Sequence, residues 1–344
     1  MQTEDCKYNG GKMTKFQAFR VYQENKEVVS RLESITVDDL DAGDVLIKTA
    51  YSAVNYKDAL AGTGAGKILR HFPCIAGVDV SGTVVESEDK RFKEGDSVLV
   101  TGYEFGVDHD GGFSEYVRVP AEWVVPVPAS MSLFDAMAIG TAGFTVALCV
   151  QRLEENNQTP ELGQFIVTGA TGGVGSFAVD IMSSLGYEVV ALTGKSDSNE
   201  LLTSLGASHV LDRNTLKLDG PLLEKGQWGG AIDNVGGDIL AWLTRTMNPW
   251  GNIAAVGLAG GFKLNTSVMP FIIRGVSLLG INSQGCPTQF RHQLWERLAS
   301  DLAPKHLDKI VTSTIGLEDL PGVFNNMLAG KTTGRTVVAI NPDK

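Results

Sequence analysis

The stretch QFIVTGATGGVGSFAVDIMSSLGYEVVALTGK, Gln164–Lys195, decides the fold. A short apolar run leads into a turn rich in glycine, a helical apolar pattern follows, and a second apolar run begins after Gly186. Strand, turn, helix and strand in this order predict one unit of a parallel, doubly wound sheet.

The glycine-rich turn is the candidate phosphate site. Gly169, Gly172, Gly173 and Gly175 stand between the first strand and the helix. Glycine permits a tight turn and a close approach of the backbone to a pyrophosphate, and the helix N-terminus presents N–H groups to it. We therefore predict a dinucleotide-binding domain, with a glycine-rich packing turn in an unliganded domain as the alternative.

The end of the second strand favours NADPH as the cofactor. An NAD site places Asp or Glu there to bind the ribose 2′-OH, whereas this chain has Thr193, Gly194, Lys195 and Ser196. A carboxylate would repel a 2′-phosphate, but a hydroxyl and a lysine attract it. Arg213, after the next strand, is a second cation. The alternative for Lys195 is a solvated loop lysine.

The rest of the chain has a different pattern on each side of this domain. Short alternating strands with Pro and Gly between them fill residues 16–128 and predict a small barrel or sandwich. The chain ends in a β-branched strand that we expect to rejoin that barrel. The expected organisation is a flexible tail (1–12), a barrel-like catalytic domain (13–138), a nucleotide domain (139–284) and a return to the catalytic domain (285–344).

Composition excludes several classes of function. The 344 residues carry 29 Lys plus Arg against 40 Asp plus Glu, a net charge of −11 that argues against a nucleic-acid partner. We see no apolar run near the roughly 20 residues of a membrane span and no secretory leader, so we expect a cytoplasmic protein without a membrane partner. The cysteines are scattered, which predicts buried thiols and no metal site: Cys6, Cys74, Cys149 and Cys286.

A polar cluster in SAVNYKDALAGTG, Ser52–Gly64, is the candidate catalytic segment, because it lies where a strand gives way to a helix. The phenol of Tyr56, with an ordinary pKa near 10, suits a hydrogen-bond donor at neutral pH. The alternative is a core tyrosine bonded to the backbone. Asn55 suits an Asx-type turn and Asp58 a helix cap, and we weigh these structural roles equally with catalysis.

The order of motifs from Phe16 to Asn341 resembles the medium-chain dehydrogenase/reductase superfamily. Within it, the chain closely resembles the acrylyl-CoA reductase branch, often labelled a YhdH-type quinone oxidoreductase branch. The resemblance rests on NYKDALAGTGAGKILRHFPCIAGVDVSGTV, GTAGFT, VTGATGGVGS, GLAGGF, MPFIIRGVSLLGINS and GRTVV. It implies an α/β fold with a GroES-like β-barrel catalytic domain and a Rossmann NADP-binding domain. By analogy it also implies a homodimer that pairs through the strand Val276–Ile281.

The resemblance implies chemistry without zinc. Zinc alcohol dehydrogenases of this superfamily carry a Cys ligand near the position of Tyr56 and a Gly-His-Glu motif, where this chain has Gly77, Val78 and Asp79. We find no set of three zinc ligands. Reduction of an activated C=C bond is then expected: NADPH gives a hydride to the β-carbon of acryloyl-CoA or a close enoyl-CoA, and Tyr56 donates to the oxygen or relays a proton. Reduction of quinones or unsaturated carbonyls, and a non-catalytic NADPH-binding redox sensor, are the alternatives.

The resemblance also assigns cofactor contacts position by position. Beside Tyr56 they are Thr141, Thr171, Gly172, Gly173, Val174, Thr193, Gly194, Lys195, Arg213, Leu258, Ile272, Ser283 and Gly330. For Leu258 and Ile272, ordinary sheet packing is an almost equal alternative. A CoA acceptor carries phosphates, for which the candidate cations are Lys67, Arg70, Arg291 and Arg335. His71 is expected to be structural.

Overall fold

The computed structural model describes residues 15–342, which form two units. The first unit comprises residues 15–141, 284–295 and 311–342, and the second comprises 142–283 and 296–310. The expected tail, 1–12, lies outside the described residues.

The two units together contain sixteen strands and nine α-helices within residues 15–342. The strands are β1 (Phe16–Glu24), β2 (Glu27–Ile35), β3 (Val45–Ala53), β4 (Cys74–Ile75), β5 (Asp79–Ser87), β6 (Ser97–Thr101), β7 (Tyr116–Val119), β8 (Val125–Pro126), β9 (Phe165–Thr168), β10 (Val189–Thr193), β11 (His209–Asp212), β12 (Trp228–Asp233), β13 (Met247–Ala255), β14 (Ser277–Gly280), β15 (Val311–Ile315) and β16 (Arg335–Ala339). The helices are α1 (Tyr56–Thr63), α2 (Leu133–Glu155), α3 (Gly173–Ser184), α4 (Asn199–Ser204), α5 (Gly237–Thr246), α6 (Met269–Arg274), α7 (Thr288–Leu298), α8 (Leu307–Ile310) and α9 (Leu320–Leu328).

The final segment of the chain departs from the expected return to the first unit. Residues 296–310 belong to the second unit instead. Arg297 there bonds to the carboxylate of Glu154, with 2.6 Å between Nη1 and Oε2. His306 lies 2.7 Å from the buried Asp180 carboxylate. Contacts distant in sequence therefore decide where this segment packs.

The first unit is built on two sheets. One has the strand order β2-β1-β4, and the other has the order β15-β16-β3-β5-β6-β8 with β7 also paired to β3. The last strand, β16, lies antiparallel to β3, with Val337 opposite Ala53. Helix α1 packs against α9 closely enough that a Cβ at Gly62 would lie 2.4 Å from the Phe324 ring. These contacts fix the position of the Asn55 turn, which connects β3 to α1.

The second unit is a six-stranded parallel sheet of order β11-β10-β9-β12-β13-β14. This is the 3-2-1-4-5-6 order of a Rossmann domain, which confirms the prediction. Its core is apolar, with Ile166, Val190, Ala231 and Ile253 buried on adjacent strands. The strand order reverses between β9 and β12, where such sheets bind ligands at the carboxyl ends of the strands.

Helix α2 departs from the expectation that no apolar run reaches the length of a membrane span. By length and composition it is the one helix among residues 15–342 that could cross a membrane. Its sequence is uncharged between Asp135 and Arg152, and 83% of its most apolar 18-residue window is buried inside the protein. Burial of this kind is typical of a core helix.

A buried ion pair and its hydrogen-bond partners join four parts of the first unit. Asp79 at the start of β5 is fully buried, and Arg335 at the start of β16 is 2% exposed. Arg335 Nη2 lies 3.4 Å from Asp79 Oδ2. Arg335 Nη1 donates to the Asn55 side-chain oxygen at 2.9 Å, and Asn55 Nδ2 donates to Asp79 at 2.8 Å. The backbone N–H of Thr141 donates to the same carboxylate at 2.9 Å.

Gly140 makes room for this ion pair. It interrupts α2 with φ 47° and ψ −155°, a conformation essentially restricted to glycine. A Cβ at this position would lie 2.5 Å from both Arg335 Nη2 and Asp79 Oδ2. The break in the helix also directs the backbone N–H of Thr141 to the carboxylate.

A second carboxyl group lies beside the pair. Asp58 is buried and accepts hydrogen bonds from the backbone N–H groups of Asn55 at 2.7 Å and Val78 at 3.1 Å. Burial, together with the charge of Asp79, raises the pKa of Asp58 to about 7. The folded state therefore holds a proton on this group at pH values where an exposed aspartate has lost it.

Replacing Arg335 with methionine should lower the free energy of unfolding by about 3–5 kcal/mol, because Asp79 would be left charged and buried without its cation. Urea unfolding followed by fluorescence measures the change. Arg91→Met is the matched control, since Arg91 pairs with Asp89 while 51% exposed and should leave the midpoint near that of the wild type. Equal losses of unfolding free energy in both variants, or no loss in Arg335→Met, would contradict the stabilising role of the buried ion pair.

The stability should also depend on pH through Asp58. Its pKa in the folded state lies above its ordinary value of 3.8, so the stability that it contributes is fully present below about pH 4 and is lost as the pH rises to about 7. The unfolding free energy of the wild type minus that of Asp58→Asn should therefore fall between about pH 4.5 and about pH 7.5. A difference that grows with pH would show that Asp58 is ionised in the folded protein.

Candidate functional site

The turn after β9 has the geometry of a phosphate site. Gly169 adopts φ 60°, which returns the chain toward α3. A Cβ at Gly175 would lie 2.2 Å from the Gly169 carbonyl oxygen, so only glycine permits this packing of helix on turn. Gly172 precedes the first residue of α3 and is exposed, while Gly173 and Val174 are half-buried. The N-terminal N–H groups of the helix are thus open to an anion.

The structure brings the four expected 2′-phosphate residues together with Thr171 of the glycine-rich turn. A Cβ at Gly194 would lie 2.5 Å from Arg213 Nε, so the guanidinium lies directly over this glycine. The Thr193 hydroxyl accepts a hydrogen bond from the backbone N–H of Lys195 at 3.1 Å and lies 3.4 Å from the Thr171 hydroxyl. Desolvation lowers the pKa of Lys195. Two cations and two hydroxyls therefore meet at the end of β10.

The reversal point between β9 and β12 contains residues that the sequence analysis missed. Thr168 donates to Asp233 at 2.6 Å, and the Asn234 side-chain nitrogen donates to the Thr168 carbonyl at 2.8 Å. Burial raises the pKa of Asp233. The side-chain oxygen of Asn234 is buried with no partner in the described structure. An acceptor of this kind fits a ligand N–H or hydroxyl. The sequence did contain a sign of this site, namely an Asp-Asn pair at the end of an apolar strand.

Two residues expected near the nicotinamide are exposed and apolar. Leu258 follows β13 and is 65% exposed, and Ile272 in α6 is 76% exposed. Sheet packing, the alternative for both, is therefore wrong. Ser283 follows β14 at the same carboxyl edge of the sheet. Further exposed apolar side chains in this part of the second unit were not foreseen: Phe262, Val268 and Ile273.

The candidate catalytic segment of the first unit separates into exposed and internal side chains. Tyr56, the first residue of α1, is 46% exposed, so the alternative of a buried core tyrosine is wrong. The side chains of Asn55 and Asp58 form hydrogen bonds with groups inside the protein, which favours the structural alternative for both. Thr141 binds Asp79 through its N–H and its hydroxyl. Gly330 is exposed beyond α9, with φ 69°.

Two of the cations expected to bind CoA phosphates are internal, so that expectation is wrong for them. Arg335 is committed to the buried ion pair. Arg291 is fully buried, donates to Thr101 Oγ1 and to the Gln284 carbonyl at 3.1 Å each, and stacks on the Tyr103 ring at 4.5 Å. An isolated arginine in a sequence carries no sign of such burial.

The other two cations are exposed. Lys67 lies on the surface, and Arg70 pairs with Glu104 at 3.1 Å while remaining 57% exposed. His71 lies within 3.6 Å of Asp41 and within 3.4 Å of Asp108, a setting that supports the expected structural role.

The described cysteines are buried thiols, and the described donors do not fit zinc. Cys74, Cys149 and Cys286 are free, and burial raises the pKa of each. Cys6 lies outside the described residues. Across residues 15–342, no three His, Cys, Asp or Glu side chains are grouped as a metal site requires. We therefore derive no step through a metal.

Family models match two parts of the chain. Residues 41–129 match the alcohol dehydrogenase GroES-like domain, and residues 173–300 match the zinc-binding dehydrogenase family. The GroES-like match lies within the first unit and confirms the predicted domain type.

Curated relatives match over almost the full length. The chain is 48% identical over 329 residues to "Putative quinone oxidoreductase YhfP" of Bacillus subtilis (strain 168), covering 95% of this chain and 99% of the relative. It is 45% identical over 325 residues to "Probable acrylyl-CoA reductase AcuI" of Escherichia coli (strain K12), covering 94% of this chain and 100% of the relative.

Solved structures agree with these relatives. The yhdH oxidoreductase of Salmonella enterica in complex with NADP has a TM-score of 0.91 at 45% identity, covering 94% of this chain and 99% of that one. Bacillus subtilis yhfP with NAD bound has a TM-score of 0.92 at 48% identity, covering 95% and 99%. As its motifs predicted, the chain belongs to the medium-chain dehydrogenase/reductase superfamily of oxidoreductases, in the branch of the acrylyl-CoA reductases and YhdH-type quinone oxidoreductases.

Proposed function

We propose that this protein is a cytoplasmic, NADPH-dependent reductase that converts acryloyl-CoA, or a close short-chain enoyl-CoA, to the saturated acyl-CoA without a metal. The observation that carries the proposal is the pair of cations at the end of β10, where Arg213 lies over Gly194 beside Lys195. No carboxylate stands where an NADH enzyme binds the ribose 2′-OH. The similarity to a probable acrylyl-CoA reductase supports the choice of acceptor.

The second unit would supply most of the proposed contacts for NADPH, with Tyr56, Thr141 and Gly330 of the first unit as the others. Residues 171–174 would hold the pyrophosphate, and the group around Lys195 would hold the 2′-phosphate. Leu258, Ile272 and Ser283 would face the nicotinamide half, and the unpartnered oxygen of Asn234 fits a donor on the same ligand. Once bound, the cofactor supplies a hydride from C4 of its nicotinamide ring. Similar structures contain NADP in one case and NAD in another, and the two cations lead us to favour NADPH.

The first unit would handle the charge that develops on the acceptor. Addition of a hydride to the β-carbon of an enoyl thioester moves the π electron pair onto the thioester oxygen, and the α-carbon then takes a proton. Tyr56 presents an exposed phenol at the start of α1, a donor for that oxygen or a relay for that proton. Asn55 and Asp58 would hold the turn that carries it.

A quinone or α,β-unsaturated carbonyl is the second candidate acceptor. The burial of Arg291 and Arg335 removes two of the four cations expected for a CoA ester, which favours an acceptor without phosphates. We also propose a homodimer, because β14 is one of the two edge strands of the six-stranded sheet and an edge strand can pair with its copy.

Consumption of NADPH with acryloyl-CoA, crotonyl-CoA and a benzoquinone, followed by absorbance in parallel, tests the function. Faster turnover of acryloyl-CoA than of the quinone is expected. The reverse order would establish the quinone reductase instead. Tight binding of NADPH without turnover of any acceptor would support the redox sensor.

Lys195→Ala should raise the KM for NADPH about 10- to 100-fold, because a charge-assisted hydrogen bond to the 2′-phosphate is lost. The KM for NADH should stay near its original value. Lys225→Ala is the matched control, since Lys225 is exposed and precedes β12 at the amino end of the parallel strands. Equal increases in the KM for NADPH and the KM for NADH would refute the proposed role of Lys195.

Tyr56→Phe should lower kcat with acryloyl-CoA about 100-fold, the cost of losing one donor to a developing oxyanion. The dissociation constant of NADPH, measured by fluorescence quenching, should change little. Phenylalanine keeps the ring and its packing, so an unchanged kcat would remove Tyr56 from the mechanism.

A further inference from the structure

Lys57 occupies a position that is electrostatically unfavourable for a cation. It lies in the first turn of α1, where the helix dipole favours negative charge. Its side chain is exposed, but the surrounding protein desolvates the ammonium enough to lower its pKa, against the opposing effects of Asp58 and Glu104.

Gln284 holds the ammonium in place. Lys57 Nζ donates to Gln284 Oε1 at 2.5 Å. An amide oxygen orients the ammonium without cancelling its charge, and within residues 15–342 its other two N–H donors are not used.

The backbone carbonyl of Gln284 is itself fixed by two hydrogen bonds. Its carbonyl oxygen accepts from Arg291 Nη2 at 3.1 Å and from the backbone N–H of Tyr103 at 2.9 Å. Tyr103 adopts φ 54°, an unfavourable conformation for a tyrosine, and its ring stacks on Trp123 at 5.4 Å. A strained residue and a buried arginine thus converge on the residue that orients Lys57.

Lys57 leaves α1 in a different direction from Tyr56. Consecutive residues of a helix point about 100° apart, so the two side chains diverge from the first turn. The Glu104 carboxylate acts electrostatically on Lys57 and pairs with the exposed Arg70. Glu104 therefore lies near two exposed cations of the first unit, Lys57 and Arg70.

We propose that Lys57, oriented by Gln284, binds a phosphate of the coenzyme A part of the acceptor and so selects CoA thioesters over quinones. The inference rests on the proposed function and supplies the phosphate contact that the buried Arg291 and Arg335 cannot make. Lys57 is the binding residue, and Gln284 is a positioning residue.

The test compares acryloyl-CoA with S-acryloyl-pantetheine, which has the same reacting group and no phosphate. In Lys57→Met, kcat/KM for acryloyl-CoA should fall about 10- to 100-fold, mainly through KM, because a charge-assisted hydrogen bond is lost. The value for the pantetheine ester should stay at the wild-type level. Lys57→Arg should recover most of the loss, and Lys90→Met, at an exposed loop lysine beyond β5, should change neither value.

Gln284→Glu tests the positioning role. Glutamate keeps the size of the side chain and its bond to Lys57 but neutralises the ammonium, so KM for acryloyl-CoA should rise as in Lys57→Met. A merely structural role would tolerate this change.

Equal losses with both thioesters, or no loss with either, would overturn the assignment of Lys57 while leaving the proposed function standing. Calorimetry of free coenzyme A binding separates the two claims further, since it requires no turnover. Weaker binding to Lys57→Met than to the wild type is expected, and equal binding would refute the phosphate contact. A wild type that reduces quinones but neither thioester would overturn the proposed function, and this inference with it.

Discussion

The buried pair of Asp79 and Arg335 is the constraint on which the first unit depends. A charged carboxylate in the protein interior is tolerated only with a cation and with donors on its remaining lone pairs. Arg335 supplies the cation from the last strand, while Asn55 and the Thr141 N–H supply the donors. The pair thereby joins parts of the chain that are far apart in sequence.

The chemistry of the candidate site follows from that constraint. Because the side chains of Asn55 and Asp58 are used inside the protein, the two residues between them are left to face outward. Tyr56 presents a phenol, and Lys57 presents an ammonium fixed by Gln284. The phenol would act on the reacting atoms and the ammonium on a phosphate of the acceptor, so one turn of helix would serve both catalysis and specificity.

The sequence alone was sufficient to predict those parts of the structure that a local pattern of residues determines. The glycines after β9 predicted the phosphate turn, because a tight turn and a close helix need them at fixed positions, and the missing acid after β10 predicted two cations that the fold brings together. Local pattern could not show burial that depends on distant partners. Arg291 and Arg335 were candidate cations for CoA phosphates but are buried, the segment 296–310 was expected in the first unit, and the unpartnered oxygen of Asn234 was not foreseen.

The central claim is that a hydride reaches the β-carbon of an enoyl thioester. Reduction of acryloyl-CoA in ordinary water with NADPH that carries deuterium at both C4 positions tests it directly, with the product examined by NMR. Hydride transfer to the β-carbon predicts propionyl-CoA with one deuterium on the β-carbon and none on the α-carbon. Deuterium on the α-carbon, or a reduced thioester without deuterium, would contradict it.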